Sequence, residues 1–125
     1  MPNANKATKK IGITLRHAPY GNNFAQEALD ATLAMSLFGQ EITLIFLGDG
    51  VFQLLKHQEA SAIYQKTFSK QIAAFELYGL ERIFVCTQSL AQRAISADSL
   101  CIDVHLVEPA KIKKILHEQD TLLSF

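Results

Sequence analysis

The sequence has little cysteine: Cys86 and Cys101 are its only two, too few for a disulfide framework and not joined by a C-x-x-C spacing. It has no surplus of charge either. Twelve lysines and arginines balance twelve aspartates and glutamates, which leaves no global electrostatic footprint for a duplex or an anionic membrane. The basic clusters, Lys6 with Lys9 and Lys10 and Lys111 with Lys113 and Lys114, read as an arm and a solvated helix face rather than as nucleic-acid contacts. Long hydrophobic runs are missing as well, since none approaches the roughly 20 residues of a spanning helix. Residues 1–10 are polar and basic without an apolar core, unlike a signal peptide or a membrane anchor. The expectation is a protein without membrane contact in the cytoplasm, where thiols stay reduced.

The glycine-rich signatures of nucleotide sites are absent too. A dinucleotide fingerprint needs G-x-G-x-x-G at the first strand-to-helix turn, where backbone must approach pyrophosphate, and here that turn is Ala18-Pro19-Tyr20-Gly21-Asn22. Gly48-x-Gly50 has no third glycine and runs on into apolar residues where a phosphate needs small ones. A receiver-type phosphoacceptor gathers several carboxylates at strand ends, and Asp49 is the only clear one, better explained as a turn residue bonding its own backbone. His17, His57, His105 and His117 are scattered without close pairing or a cysteine doublet, so neither a metal nor a cofactor is expected. Ser89 lacks the G-x-S-x-G setting of a nucleophile elbow.

What is present is an apolar chain with regular alternation. Its 125 residues, 49% hydrophobic, can bury one sizeable core and are too few for two ordinary domains. The pattern predicts a strand over 11–15, a turn over 19–22 and a helix over about 24–38. Asn23 with Gln26 reads as the helix cap, Phe24, Ala28, Ala31, Met35 and Phe38 as its apolar face, and Gly39 as its stop. Residues 41–47 are apolar almost throughout, the mark of a central parallel strand buried on both faces. Ile72 and Phe75, flanked by Phe68 and Tyr78, suggest a helical face ending at Gly79. Strands are predicted at 83–86 and 102–107, a short helix at 90–94 capped by Ser89, a helix opened by Pro109, and a last strand at 122–125. Such alternation with short connections predicts a single-domain three-layer α/β/α sandwich around a mostly parallel sheet of about five strands. The expected division is a flexible arm over 1–10 and one domain over 11–125.

Two places stand out within that frame. The stretch Gly48-Asp49-Gly50-Val51-Phe52-Gln53-Leu54-Leu55 follows the central strand, at the sheet edge where parallel α/β proteins usually build sites. It is either a packed corner or a docking surface. Cys86 closes a strand about one turn before a short helix, where the helix dipole favours thiolate, the species that attacks sulfur and carries it as a persulfide. A lone cysteine beside strand residues is usually a core residue.

Taken together, Ala18-Pro19-Tyr20-Gly21, the 48–55 stretch, Phe75-Glu76-Leu77-Tyr78-Gly79-Leu80, Val85-Cys86-Thr87-Gln88-Ser89-Leu90 and Phe125 resemble the DsrE/DsrF-like sulfur-relay family. The likeness is strongest to its TusC/DsrF branch, for which Asp49-Gly50-Val51-Phe52-Gln53-Leu54-Leu55 is the most specific piece. It runs in order over residues 11–125, and it departs at the 1–10 extension and at Tyr20, where the branch has a familiar histidine. The resemblance implies a cytoplasmic subunit of a TusBCD-type complex, a dimer of heterotrimers, with TusB-like and TusD-like chains as partners. Sulfur would pass from it to a TusE-like carrier and on to the enzyme that 2-thiolates the wobble uridine of tRNA, so tRNA is met only indirectly. In Dsr relatives a similar assembly serves sulfur oxidation. The family attributes the sulfur-carrying cysteine to the TusD (DsrE) chain and treats the TusC-type chain as a structural partner. Two roles follow for this sequence. It is an accessory subunit burying Tyr20, Phe75 and Asp49, Gly50, Val51, Phe52, Gln53, Leu54 and Leu55 in an interface, or it carries persulfide on Cys86. An unrelated flavodoxin-like binding module is a third reading, and it requires a ligand-sized pocket at the carboxyl edge of the sheet.

Overall fold

The computed structural model describes residues 8–19, 21, 23–55 and 72–125. Five strands, β1 (Lys10–Leu15), β2 (Glu41–Phe46), β3 (Ile83–Cys86), β4 (His105–Val107) and β5 (Thr121–Ser124), form one sheet in the order β4-β3-β2-β1-β5. Every pairing in it is parallel. Between the strands run α1 (Phe24–Ser36), α2 (Thr87–Gln92) and α3 (Pro109–His117). The α/β architecture expected from the alternation is the one observed. Among the described residues no helix is long and apolar enough to cross a membrane.

Successive side chains of a strand point to opposite faces, and β2 shows why its sequence had to be apolar almost throughout. Ile42, Leu44 and Phe46 enter the main core with Ile13 and Leu15 of β1, Ala25, Ala28 and Leu29 of α1, and Ile72 and Phe75. Ile45 points the other way, into a small cluster with Cys86 and with Ile112 and Ile115 of α3. Full burial of each such aliphatic side chain contributes about 1.5–3 kcal/mol. Thr43, also buried, keeps its hydroxyl satisfied by accepting from Arg82 Nε at 2.9 Å.

Helix α1 is present within two residues of its expected end, but it is rotated. It buries Ala25, Ala28, Leu29 and Thr32, whereas Phe24 and Phe38 of the predicted face are exposed. Both sets follow helical spacing, so periodicity could not separate them. The smaller side chains bring the helix close to the sheet, and Thr32 is tolerated inside because Oγ1 donates to the Ala28 carbonyl at 2.7 Å. Asn23 precedes the helix but makes no side-chain cap bond. Gln26, expected to complete a capping box, donates to Asp30 Oδ1 instead.

The arm was drawn too long. Lys10 is the first residue of β1, and Lys9 is fixed by a bond from its amide to Gln40 Oε1 and another from the Glu41 amide to its carbonyl. Residues 1–7, with Lys6, lie outside the described residues, as do His57 and Phe68. Strand β4 is shorter than predicted because the chain before it is held elsewhere. Leu100 bridges to Leu55, and the Cys101 amide donates to the Leu54 carbonyl at 2.7 Å. The chain therefore joins β3 only at the Phe84–His105 pair. Pro109 opens α3 as predicted, at the position where its missing N–H costs nothing.

Candidate functional site

The carboxyl edge of the sheet is built around the turn that leaves β2. Leu47 is extended and its amide donates to the Leu15 carbonyl, after which Gly48–Leu54 wind into a 3-10 helix. Gly48 takes a positive φ of 56°, a conformation open to glycine at little cost. Gly50 sits so close to the end of β1 that a Cβ would be driven into the Leu15 carbonyl oxygen. Any side chain there would force the corner off the sheet.

A 3-10 helix repeats every three residues, so positions three apart share a side. Val51 and Leu54 are both turned inward and belong to the main core. Gln53 is also buried, and its Nε2 donates to the His17 carbonyl at 2.7 Å, tying the corner to the β1–α1 loop. His17 in turn lays its ring against Phe24 with centroids 4.6 Å apart.

A second set of bonds ties the corner to α2. The Gly48 amide donates to Ser89 Oγ at 2.9 Å. Asp49 Oδ1 receives Arg93 Nη2 at 2.9 Å and Nε at 3.0 Å, while Arg93 Nη1 donates to the Ser89 carbonyl. Ser89 was expected to cap a helix over 90–94. It lies inside α2 instead, because the helix starts at Thr87 directly after Cys86. Arg93 carried no signal in the sequence, since its partner lies 44 residues away.

These bonds sort the residues expected at an interface. Gly50, Val51, Gln53, Leu54 and Phe75 are buried within the chain itself, so they pack the corner and the core instead of facing a partner. Asp49 is exposed, and Phe52 and Leu55 are half-buried. Tyr20 lies outside the described residues. The apolar run after the glycine turn is the inner side of a fold corner.

Cys86 ends β3, as expected, but as a free thiol with only 6% of its surface exposed. It packs with Ile45 beneath Ile112 and Ile115 of α3. A sulfur passed between proteins needs an unobstructed approach for the attacking thiolate, and α3 covers this one. Cys101 is half-buried at the Leu54 crossing. A cleft of about 320 Å³ opens at the opposite edge of the sheet, floored by Phe75, Leu80, Ile83 and Val104 with Glu76 and Glu81 on its lining. It is remote from the carboxyl edge where a flavodoxin-like module would hold its ligand.

Comparison with known proteins adds a separate line. The DsrE/DsrF-like family matches residues 9–125. A protein of Vibrio parahaemolyticus serotype O3:K6 named "Protein TusC homolog" is 43% identical over 116 residues, spanning 93% of this chain and 98% of that protein. "Protein TusC" of Buchnera aphidicola subsp. Baizongia pistaciae is 30% identical over 118 residues, 94% of this chain and 99% of its own. Among solved structures, the ychN protein from E. coli superposes with a TM-score of 0.80 at 20% identity, covering 94% of this chain and all of that one. A protein of unknown function from Methanobacterium thermoautotrophicum gives 0.63 at 14% identity, covering 94% and 99%. At such identities the two structures speak for the fold alone.

Proposed function

The chain belongs to the DsrE/DsrF-like family, and on that premise we propose that it is a TusC/DsrF-like subunit of a heteromeric sulfur-relay complex that serves 2-thiolation of the tRNA wobble uridine. The observation that carries this reading is end-to-end similarity, at 30–43% identity, to proteins named TusC or TusC homolog. TusB-like and TusD-like chains are its partners, a TusE-like carrier receives the sulfur, and tRNA is reached only through the downstream enzyme. The complex works in the cytoplasm. Within it this chain acts as an interaction subunit, and the cover of α3 over Cys86 supports that assignment over a carrier role. Of the 48–55 corner, Asp49, Phe52 and Leu55 keep exposed surface that a partner can contact.

Co-expression with TusB-like and TusD-like chains tests the reading. The three should purify together in equal amounts, and loss of this chain should lower 2-thiouridine in tRNA. A chain that stays alone in the presence of both partners would sink the proposal. Cys86→Ser should leave thiolation intact, and mass spectrometry after a persulfide donor should find no added sulfur on Cys86. An adduct there, with thiolation lost in the serine variant, would move the chain from interaction subunit to carrier.

A further inference from the structure

We propose that the free side of β4 binds peptide: an extended, basic segment of a partner protein lies along this strand and sets its cations into the acidic groove beside it. Strand β4 is the last of the sheet, and among the described residues it pairs only with β3. The amides and carbonyls on its outer side are a template for a further strand. Alongside, the cleft of about 320 Å³ continues into two more hollows of about 510 and 340 Å³, and Ile102 and Asp103 line all three. The floor is largely apolar, and Leu106 of β4 borders it with 46% of its surface exposed. The acidic residues along the groove are Glu76, Glu81, Asp98 and Asp103. All four are exposed, and none has an ion-pair partner among the described residues.

The cations at the same end of the sheet do not cancel this charge. Arg82 serves the opposite layer: its Nε donates to Thr43, which points away from the main core, it pairs with Glu41, and its guanidinium lies over the Phe84 ring. Phe84 packs in the α3 cluster, whereas Phe75, Leu80 and Ile83 of the groove belong to the main core. His105 also turns to Phe84, with ring centroids 5.3 Å apart. Lys9 and Lys10 stand at β1, two strand spacings from β3 and three from β4, which is about 10 and 14 Å. Salt screens exposed charges over about 8 Å. Among the described residues no lysine or arginine lines the groove. Charge at a sheet edge turns strands of like charge away and admits one of opposite sign. Alternate residues of an added strand face the groove, so the fitting segment has lysine or arginine at every second position. Their aliphatic stems cover the apolar floor while the charged heads reach the carboxylates.

Titrating the full chain with a labelled peptide of alternating lysine and valine, and with its glutamate and valine counterpart, tests the inference. The lysine peptide should bind about tenfold or more tightly than the other, weaken about tenfold between about 50 and 500 mM salt, and slow hydrogen exchange over 104–107. Asp98→Lys with Asp103→Lys should weaken it about tenfold or more and keep the wild-type melting temperature, since both side chains are exposed. Glu118→Lys, on α3 in the other layer, should change binding by less than about twofold. Equal binding of the two peptides, or binding of neither, overturns the inference and leaves the subunit reading untouched. Protection that falls on 121–124 instead would put the added strand on β5 and overturn the placement. A full chain with Lys6→Glu that binds the peptide about tenfold more tightly would make residues 1–7 the occupant. Self-association of the wild-type chain that the double variant abolishes would make it a second copy. Either result overturns the choice of partner.

Discussion

At the carboxyl edge the apolar residues that follow β2 turn inward, Val51 and Leu54 reaching the main core, while at the amino edge Leu37, Phe38 and Leu77 turn out to solvent. The two edges have similar sequence character, a glycine-bearing turn beside large apolar side chains. What separates them is local geometry. The 3-10 helix over Gly48–Leu54 stacks every third residue on the side facing the core, and Gly50 lets it press against the end of β1. Gly39 and Gly79 close helical segments with positive φ and no atom near where a side chain would stand, so their neighbours stay free. Apolar sequence beside a turn thus marks a corner in one place and a surface in the other.

The contrast can be broken most forcefully at Val51. Val51→Asp places an unpaired carboxylate in the core and should cost about 4 kcal/mol or more, enough to prevent folding, as read by denaturant unfolding. Normal stability in that variant would mean the corner is not packed as described. Gly50→Ala should follow at about 3 kcal/mol, because the added methyl cannot share space with the Leu15 carbonyl and the 3-10 helix has to shift. Asp49→Ala, which frees Arg93 at the exposed rim of the corner, should cost only about 0.5–1 kcal/mol and less in high salt. A salt-independent loss of several kcal/mol would show that the pair holds the corner in place. Leu77→Asp alone should change stability by less than about 0.5 kcal/mol. A large loss there would bring the amino edge into the core and end the comparison.

The layered architecture was legible because burial imposes period. A nearly continuous apolar run at 41–47 reads as a strand covered on both faces, and Pro109 reads as the opening of a helix. Strand order was not legible, since it depends on which segments meet across the sheet and not on what any one of them prefers. The face of α1 was misread because Ala25, Ala28, Leu29 and Thr32 follow the same helical spacing as the bulkier set. Threonine enters a core only when it finds an acceptor, and Thr32 found one in its own helix. At the candidate site Cys86 was placed correctly at a strand end, but its cover by α3 comes from a helix that begins at Pro109, 23 residues later, which no pattern local to Cys86 announces. Of the residues expected at an interface, Gly50, Val51, Gln53, Leu54 and Phe75 are buried within the chain, because the 3-10 geometry that turns them inward is not written in the local pattern.

The pairing of β5 with β1 bears on how the sheet is completed in time. Thr14 and Ser124 share a hydroxyl hydrogen bond of 2.9 Å across 110 residues of chain. Until that last segment arrives, β1 carries a row of unpaired amides and carbonyls along one side, a template for another chain's strand. The cost of closing so long a loop comes before the ladder rewards it. A chain lacking Thr121–Ser124 would leave that side of β1 open to another chain's strand.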